Sequence, residues 1–136
     1  MNYWLVKSDP DSYGWDEFEK DGKTDWDGVR NYQARNNLQE MKKGDKVLFY
    51  HSVTTRDVVG IAEVLKSAYQ DPTIDDDRWV AVELKVDKKL TNPVNLKEIK
   101  QVKQLENIAL IKQSRLSVMP LTKTEFDTII KMANEA

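Results

Sequence analysis

Residues 26–38 read Trp26-Asp27-Gly28-Val29-Arg30-Asn31-Tyr32-Gln33-Ala34-Arg35-Asn36-Asn37-Leu38, and the rest of the chain is organised around them. An aromatic residue and a glycine turn come first. No Gly or Pro then interrupts the run through Met41. Ala34, Leu38 and Met41 recur at i, i+4 and i+7, the apolar stripe of an amphipathic helix. Asn31 and Arg35 stand four apart and so share another helical face. The helix start thus collects an indole, an amide and, with Arg30, two guanidinium groups. Free N–H groups and the positive end of the helix dipole favour an anion there. Such a set could hold a base and its phosphate. A surface helix entered by a core Trp is the plainer reading of the same residues.

Working outward, Tyr3 to Lys7 is an aromatic and β-branched run that predicts a first strand. Ser8-Asp9-Pro10-Asp11 breaks it, because Pro lacks an N–H and restrains its neighbour. Asp11 or Ser12 can cap a helix through about Lys20, with Trp15 and Phe18 facing inward. Asp21-Gly22-Lys23 is a turn. On the far side, Lys42-Lys43-Gly44-Asp45 closes the organising helix with cations near its C-terminal end. Lys46 to His51 predicts a strand, Ser52 to Asp57 a polar loop, and Val58 to Ala68 a second strand with a bulge at Gly60. After a loop at 69–78, Val80, Val82, Leu84 and Val86 alternate with Ala81, Glu83 and Lys85. That is the clearest strand pattern in the chain, and Pro93 is expected to end it. Leu96 to Gln113 has helical spacing. Arg115 to Val118 reads as a short extended segment before Pro120. Thr122-Lys123-Thr124-Glu125 is a capping box that starts a last helix carrying Phe126, Ile129, Ile130 and Ala133. A strand, helices, several strands and helices again make an α+β domain with a curved or closed sheet.

The length of 136 residues suits one domain, and 40% hydrophobic with 32% charged residues suits a core beneath a polar surface. The absence of Cys removes disulfides, thiolate metal sites and Cys nucleophiles. The first residues carry no signal-peptide pattern, and no apolar run approaches the length of a membrane span. The expected location is the cytoplasm, or the nucleus where the source has one. The net charge of −2 argues against a general polyanion binder. The charge is unevenly placed, however. Residues 9–27 hold eight acids and two bases, whereas residues 30–56 hold six bases and two acids. One basic surface on an acidic protein would follow, unless the two segments lie side by side and neutralise each other.

Little in the chain points to catalysis. The single His51 precedes Ser52, and neighbours on a strand face opposite ways, so they do not make a nucleophile–base pair. One His without Cys is too few N or S ligands for a zinc site. Asp75-Asp76-Asp77 lacks the spacing of a calcium loop and reads as a solvated turn. No Gly-rich phosphate loop is present. The aromatics say more. Four Trp, with five Tyr and three Phe, exceed what stacking on a ligand needs, so most belong to the core. One or two beside Arg and Asn would make a platform for a base.

Ordered matches along almost the whole chain resemble the EVE domain family. They are Tyr3-Trp4-Leu5-Val6-Lys7-Ser8-Asp9-Pro10, Trp26-Asp27-Gly28-Val29-Arg30-Asn31 and Ala34-Arg35-Asn36-Asn37-Leu38. They continue with Gly44-Asp45, Leu48-Phe49-Tyr50-His51-Ser52, Val59-Gly60-Ile61, Ala68-Tyr69, Asp71-Pro72-Thr73, Arg115-Leu116-Ser117-Val118 and Pro120-Leu121-Thr122. The resemblance implies one domain over residues 1–136, with a PUA-like mixed β-barrel flanked by helices. It also implies a pocket for a modified nucleobase in DNA or RNA, no catalytic activity and no cofactor. Carried over by position, the pocket would involve Lys7, Ser8, Trp26, Val29, Arg30, Asn31, His51, Ser52, Leu116 and Ser117. Arg35 and Arg115 would reach phosphate at its rim. The expected partner is therefore DNA or RNA carrying a modified base, bound by a monomer away from any membrane. A small-metabolite pocket and an RNA-modification-associated protein are the alternatives. Some positions depart from the family: Asp9 stands where Glu is usual, Ser114 where a basic residue is common, Ala62 in a stretch often bearing Gly, and Phe126 where a Trp is frequent. These bear on packing and the rim, hence on affinity more than on fold.

Overall fold

The computed structural model describes residues 1–135. Its six strands form one sheet. In chain order they are β1 (Tyr3–Ser8), β2 (Lys23–Trp26), β3 (Lys46–His51), β4 (Asp57–Gln70), β5 (Val80–Asn95) and β6 (Val118–Leu121). Their hydrogen-bonded order is β2-β5-β4-β3-β1-β6. β1 runs parallel to β3, from Tyr3 opposite Lys46 to Ser8 opposite His51, and antiparallel to β6. The remaining pairs are antiparallel. The sheet therefore has two edges, β2 and β6. α3 (Tyr32–Glu40) lies against β6 on one side and against β4 and β5 on the other. Its Asn37 Nδ2 donates to the Val118 carbonyl at 2.7 Å. The apolar stripe of α3 is realised as expected, with Ala34, Leu38 and, at the C-cap, Met41 buried.

The core is centred on Phe49. The rings of Trp15, Phe18 and Trp26 have their centroids 5.4, 5.3 and 5.5 Å from it. Trp15 and Phe18 do face inward, both from the second of two short helices that replace the single one expected. α1 (Pro10–Tyr13) starts at Pro10 and is capped by Asp9, and α2 (Trp15–Asp21) follows after Gly14. An Asp–Pro start supplies both a cap and a preset φ. At Trp15 the backbone N–H turns to His51 Nε2 at 3.0 Å instead of continuing the first helix. Gly60, in β4, is where the indole of Trp15 rests on the sheet. A Cβ there would lie 2.4 Å from the ring.

Several boundaries correct the sequence reading. The organising stretch does not run as helix from its glycine turn. Trp26 ends β2, which pairs with β5, and the helix begins only at Tyr32. Pro93 does not end β5, which continues to Asn95. Between the pairs Gly60–Lys89 and Val58–Val94 the ladder is bulged, so the N–H that Pro93 lacks is not missed there. The helical spacing of 96–113 is divided among α4 (Leu96–Ile99), a 3-10 turn (Lys103–Leu105) and α5 (Ala109–Lys112). The last strand lies at Val118–Leu121 rather than before Pro120, which is tolerated because β6 is an edge. The capping box before α6 (Lys123–Glu135) forms reciprocally. The Thr122 N–H donates to Glu125 Oε1 at 2.9 Å, and the Glu125 N–H to Thr122 Oγ1 at 3.1 Å.

Candidate nucleic-acid interface

The site is built where β2 gives way to α3. Strand alternation turns Thr24 and Trp26 toward the interior and Lys23 and Asp25 outward. Gly28 then takes φ 75°, which a side chain would resist. The segment 28–30 is fastened by Asp71, a fully buried carboxylate at the start of the loop that joins β4 to β5. Asp71 Oδ2 accepts from the Gly28 N–H at 2.8 Å and from Arg30 Nη1 at 2.9 Å. Its Oδ1 accepts from the N–H and hydroxyl of Thr73 at 2.7 and 2.6 Å. Burial opposes the charge on Asp71. The hydrogen bonds from Thr73, Arg30 and Gly28 outweigh that, and its carboxyl lies well below the usual carboxylate range.

Asn31 caps α3, its side-chain oxygen accepting from the Ala34 N–H at 2.9 Å. The helix end is thus partly satisfied from within, so the free N–H groups expected there are fewer. Against this turn lies the end of β1. Lys7 Nζ donates to the Ser114 carbonyl at 2.9 Å, and burial lowers the Lys7 pKa. The Lys7 backbone N–H donates to the Ser117 carbonyl at 2.9 Å.

These pieces enclose an open cavity of about 470 Å³, within the roughly 300–1,000 Å³ range of small-ligand pockets. It brings together Lys7, Ser8, Trp26, Val29, Arg30, Asn31 and Ser117, all singled out from the sequence. Trp26 is only 8% exposed and meets Phe49 edge-on. It is thus core and cavity wall at once. Other expected residues fall elsewhere. Ser52 lines an adjoining cavity of about 450 Å³ that shares Lys7 and Ser117 with the first. Arg115 and Leu116 line a third, of about 360 Å³, which shares Asn31. His51 lines none of these three. Its Nε2 holds the Trp15 N–H, which requires the proton on Nδ1. Arg35 also lies outside them; its guanidinium sits over the Tyr32 ring at 5.0 Å and donates to the Arg78 carbonyl at 3.2 Å.

Asp9, Tyr13, Thr24, Asp25, Asp27 and Gly28, not expected as site residues, line the same cavity. Reading 23–26 as a strand would have placed Thr24 and Trp26 on one wall. Asp27 is raised above its ordinary pKa by burial and by the charges of Asp71 and Asp25. Burial, with Asp21 nearby, pushes Tyr13 up to about 12, and its hydroxyl donates to Asp21 Oδ2 at 2.8 Å. The floor is therefore rich in acceptors, with an amide and a restrained lysine as donors. Among the described residues no group of three or more His, Cys, Asp or Glu side chains is placed to hold a metal ion, and no helix is long and apolar enough to cross a membrane.

A mixed six-stranded sheet with helices against it is the PUA-like architecture. The EVE domain model matches residues 2–132, and the chain belongs to that family. The chain is 34% identical to mouse thymocyte nuclear protein 1 over 165 aligned positions, covering 96% of this chain and 73% of the relative. A crystal structure of an Agrobacterium tumefaciens protein is 42% identical, with a TM-score of 0.96 over 98% of this chain and 93% of that one. A crystal structure of human THYN1 protein in complex with DNA containing 5-methylcytosine is 30% identical, with a TM-score of 0.92 over 100% and 99% of the two chains.

Proposed function

We propose that this protein is a non-catalytic nucleic-acid-binding domain that takes one modified base into the cavity beside Trp26. The observation that carries this reading is the cavity itself: an aromatic wall, an amide donor and several acceptors surround a space suited to a heteroaromatic ring. The human relative's complex with methylated DNA supports the choice of a modified base in a nucleic acid. In this reading Lys7, Ser8, Trp26, Val29, Arg30, Asn31 and Ser117 surround the base. Ser52, Leu116 and His51 support the walls, and Arg115 and Arg35 meet the backbone at the rim. The protein works as a monomer, in the cytoplasm or nucleus where its nucleic acid is found.

The test is a titration with short DNA and RNA oligonucleotides that differ by one modification, 5-methylcytosine and N6-methyladenine among them. One modified member should bind more tightly than its unmodified parent and be recovered chemically unchanged. Trp26→Ala would confound the result, since emptying a core Trp site costs about 3–5 kcal/mol of stability. Trp26→Phe keeps a ring against Phe49 and should reduce the preference while the protein still folds. Equal affinity for every modified and unmodified pair would refute the base reading. A small molecule retained through purification, with no oligonucleotide binding, would favour the metabolite alternative.

A further inference from the structure

The loop between β3 and β4 carries an unusual residue at its tip. Val53 is 62% exposed and has φ 71°. The Thr54 N–H donates to the Ser52 carbonyl at 2.9 Å, so Val53 is the central residue of a γ-turn of positive φ, the rare and strained form. A β-branched side chain is among the least suited to this conformation. Three residues on, Arg56 also has positive φ, 52°. Both ends of the loop are pinned. The Ser52 N–H donates to the Ser8 carbonyl at 2.9 Å, and the Arg56 carbonyl accepts from the Leu96 N–H at 2.8 Å. The result is a short, fixed tip that presents an isopropyl group to solvent, although Gly would suit the backbone better and expose less apolar surface.

Its position supplies a use. Val53 and Arg56 line the cavity that shares Lys7 and Ser117 with the base cavity, and Ser8, which holds the Ser52 N–H, lines the base cavity itself. A base reaches such a cavity from a duplex only by leaving the stack. Proteins that open base steps commonly fill the gap with an apolar side chain. Resting on the base-reading function proposed above, we infer that Val53 is a wedge that enters the duplex beside the extruded base. Arg56, on the same loop, meets the phosphates of the opened step. A rigid tip suits this role, because a mobile side chain would lose more entropy on insertion.

The full chain is compared with Val53→Gly and with Val53→Thr, which keeps the β-branch but replaces a methyl with a hydroxyl. The probes are a DNA duplex with one 5-methylcytosine beside a 2-aminopurine, and the same modified strand alone. Wild type should bind the duplex with a rise in 2-aminopurine fluorescence, as the neighbouring step unstacks. Val53→Gly should melt no lower than wild type and bind the single strand equally well. It should lose at least about tenfold in duplex affinity and most of the fluorescence rise, with Val53→Thr between the two. Unchanged duplex binding by Val53→Gly would overturn the wedge and leave the base reading intact. Equal losses on both probes would do the same, marking the loop as a plain backbone contact. So would a wild type that binds only the single strand. A wild type that binds neither probe sinks the wedge, and failure across the full modification panel sinks the base reading with it.

Discussion

Asp71 ties the loop between β4 and β5 to a turn 41 and 43 residues away in sequence, through Arg30 and Gly28. Its folded-state carboxyl is held below the usual range, whereas an unfolded Asp titrates near about 3.9. A group with the lower pKa in the folded state adds stability that is fully present above the unfolded value. That stability is lost as pH falls through the window below it. Asp71→Asn should therefore melt well below wild type at neutral pH, by an amount on the order of the 1.5–3 kcal/mol typical of a charged hydrogen bond. The gap should narrow between about pH 4 and pH 2. Melting curves of both proteins at several pH values check this, and a gap independent of pH would show that the charge of Asp71 is not what holds the turn. Arg30 was legible as a candidate from its place beside Gly28. Its commitment to Asp71 was not, because nothing local in 26–38 names a carboxylate in another loop.

At the scale of elements, α2 is seated on β4 through Trp15 and Gly60. Strands on either side of Gly60 are paired, so the backbone has little room to withdraw. With a Cβ at 2.4 Å from the indole, Gly60→Ala should cost about 1–3 kcal/mol by overpacking. It should lower the denaturant midpoint without changing the slope. Trp15→Phe shortens the ring, so the double variant should lose less than the sum of the two single losses. Strict additivity would mean that the ring and the glycine do not meet as described. The sequence marked Gly60 as a bulge and Trp15 as core, and both hold. Their contact lies across 45 positions of chain, beyond any periodic pattern. β2 has no local signal for a related reason. It is a four-residue strand of mixed polarity, Lys23-Thr24-Asp25-Trp26, and its pairing with β5 rather than its own pattern makes it a strand.

For the molecule as a whole, charge limits how nucleic acid can be held. The net charge is −2, Asp9, Asp25 and Asp27 line the cavity, and Arg30 is committed to Asp71. Affinity should then come mainly from the base, with roughly two to four phosphate contacts, each adding about 0.9 to the log–log salt slope. Binding measured from low to moderate salt checks this. A slope near zero would remove the phosphate contacts, and one near ten would reveal a second basic surface. By itself the sequence determined the elements whose signals are local. They are the apolar and aromatic runs of β1 and β3, the alternation of β5, the apolar stripe of α3 and the capping box of α6. It also carried enough ordered motif to place the chain in its family. The tertiary structure alone decided which of the flagged residues share a cavity. It drew Lys7, Ser8, Trp26, Asn31 and Ser117 together, gave His51 to the backbone of Trp15, and moved Leu116 and Arg115 to a neighbouring hollow. Period and propensity act over a few residues, whereas a cavity is made by strand order and long-range pairing, which bring together side chains a hundred residues apart.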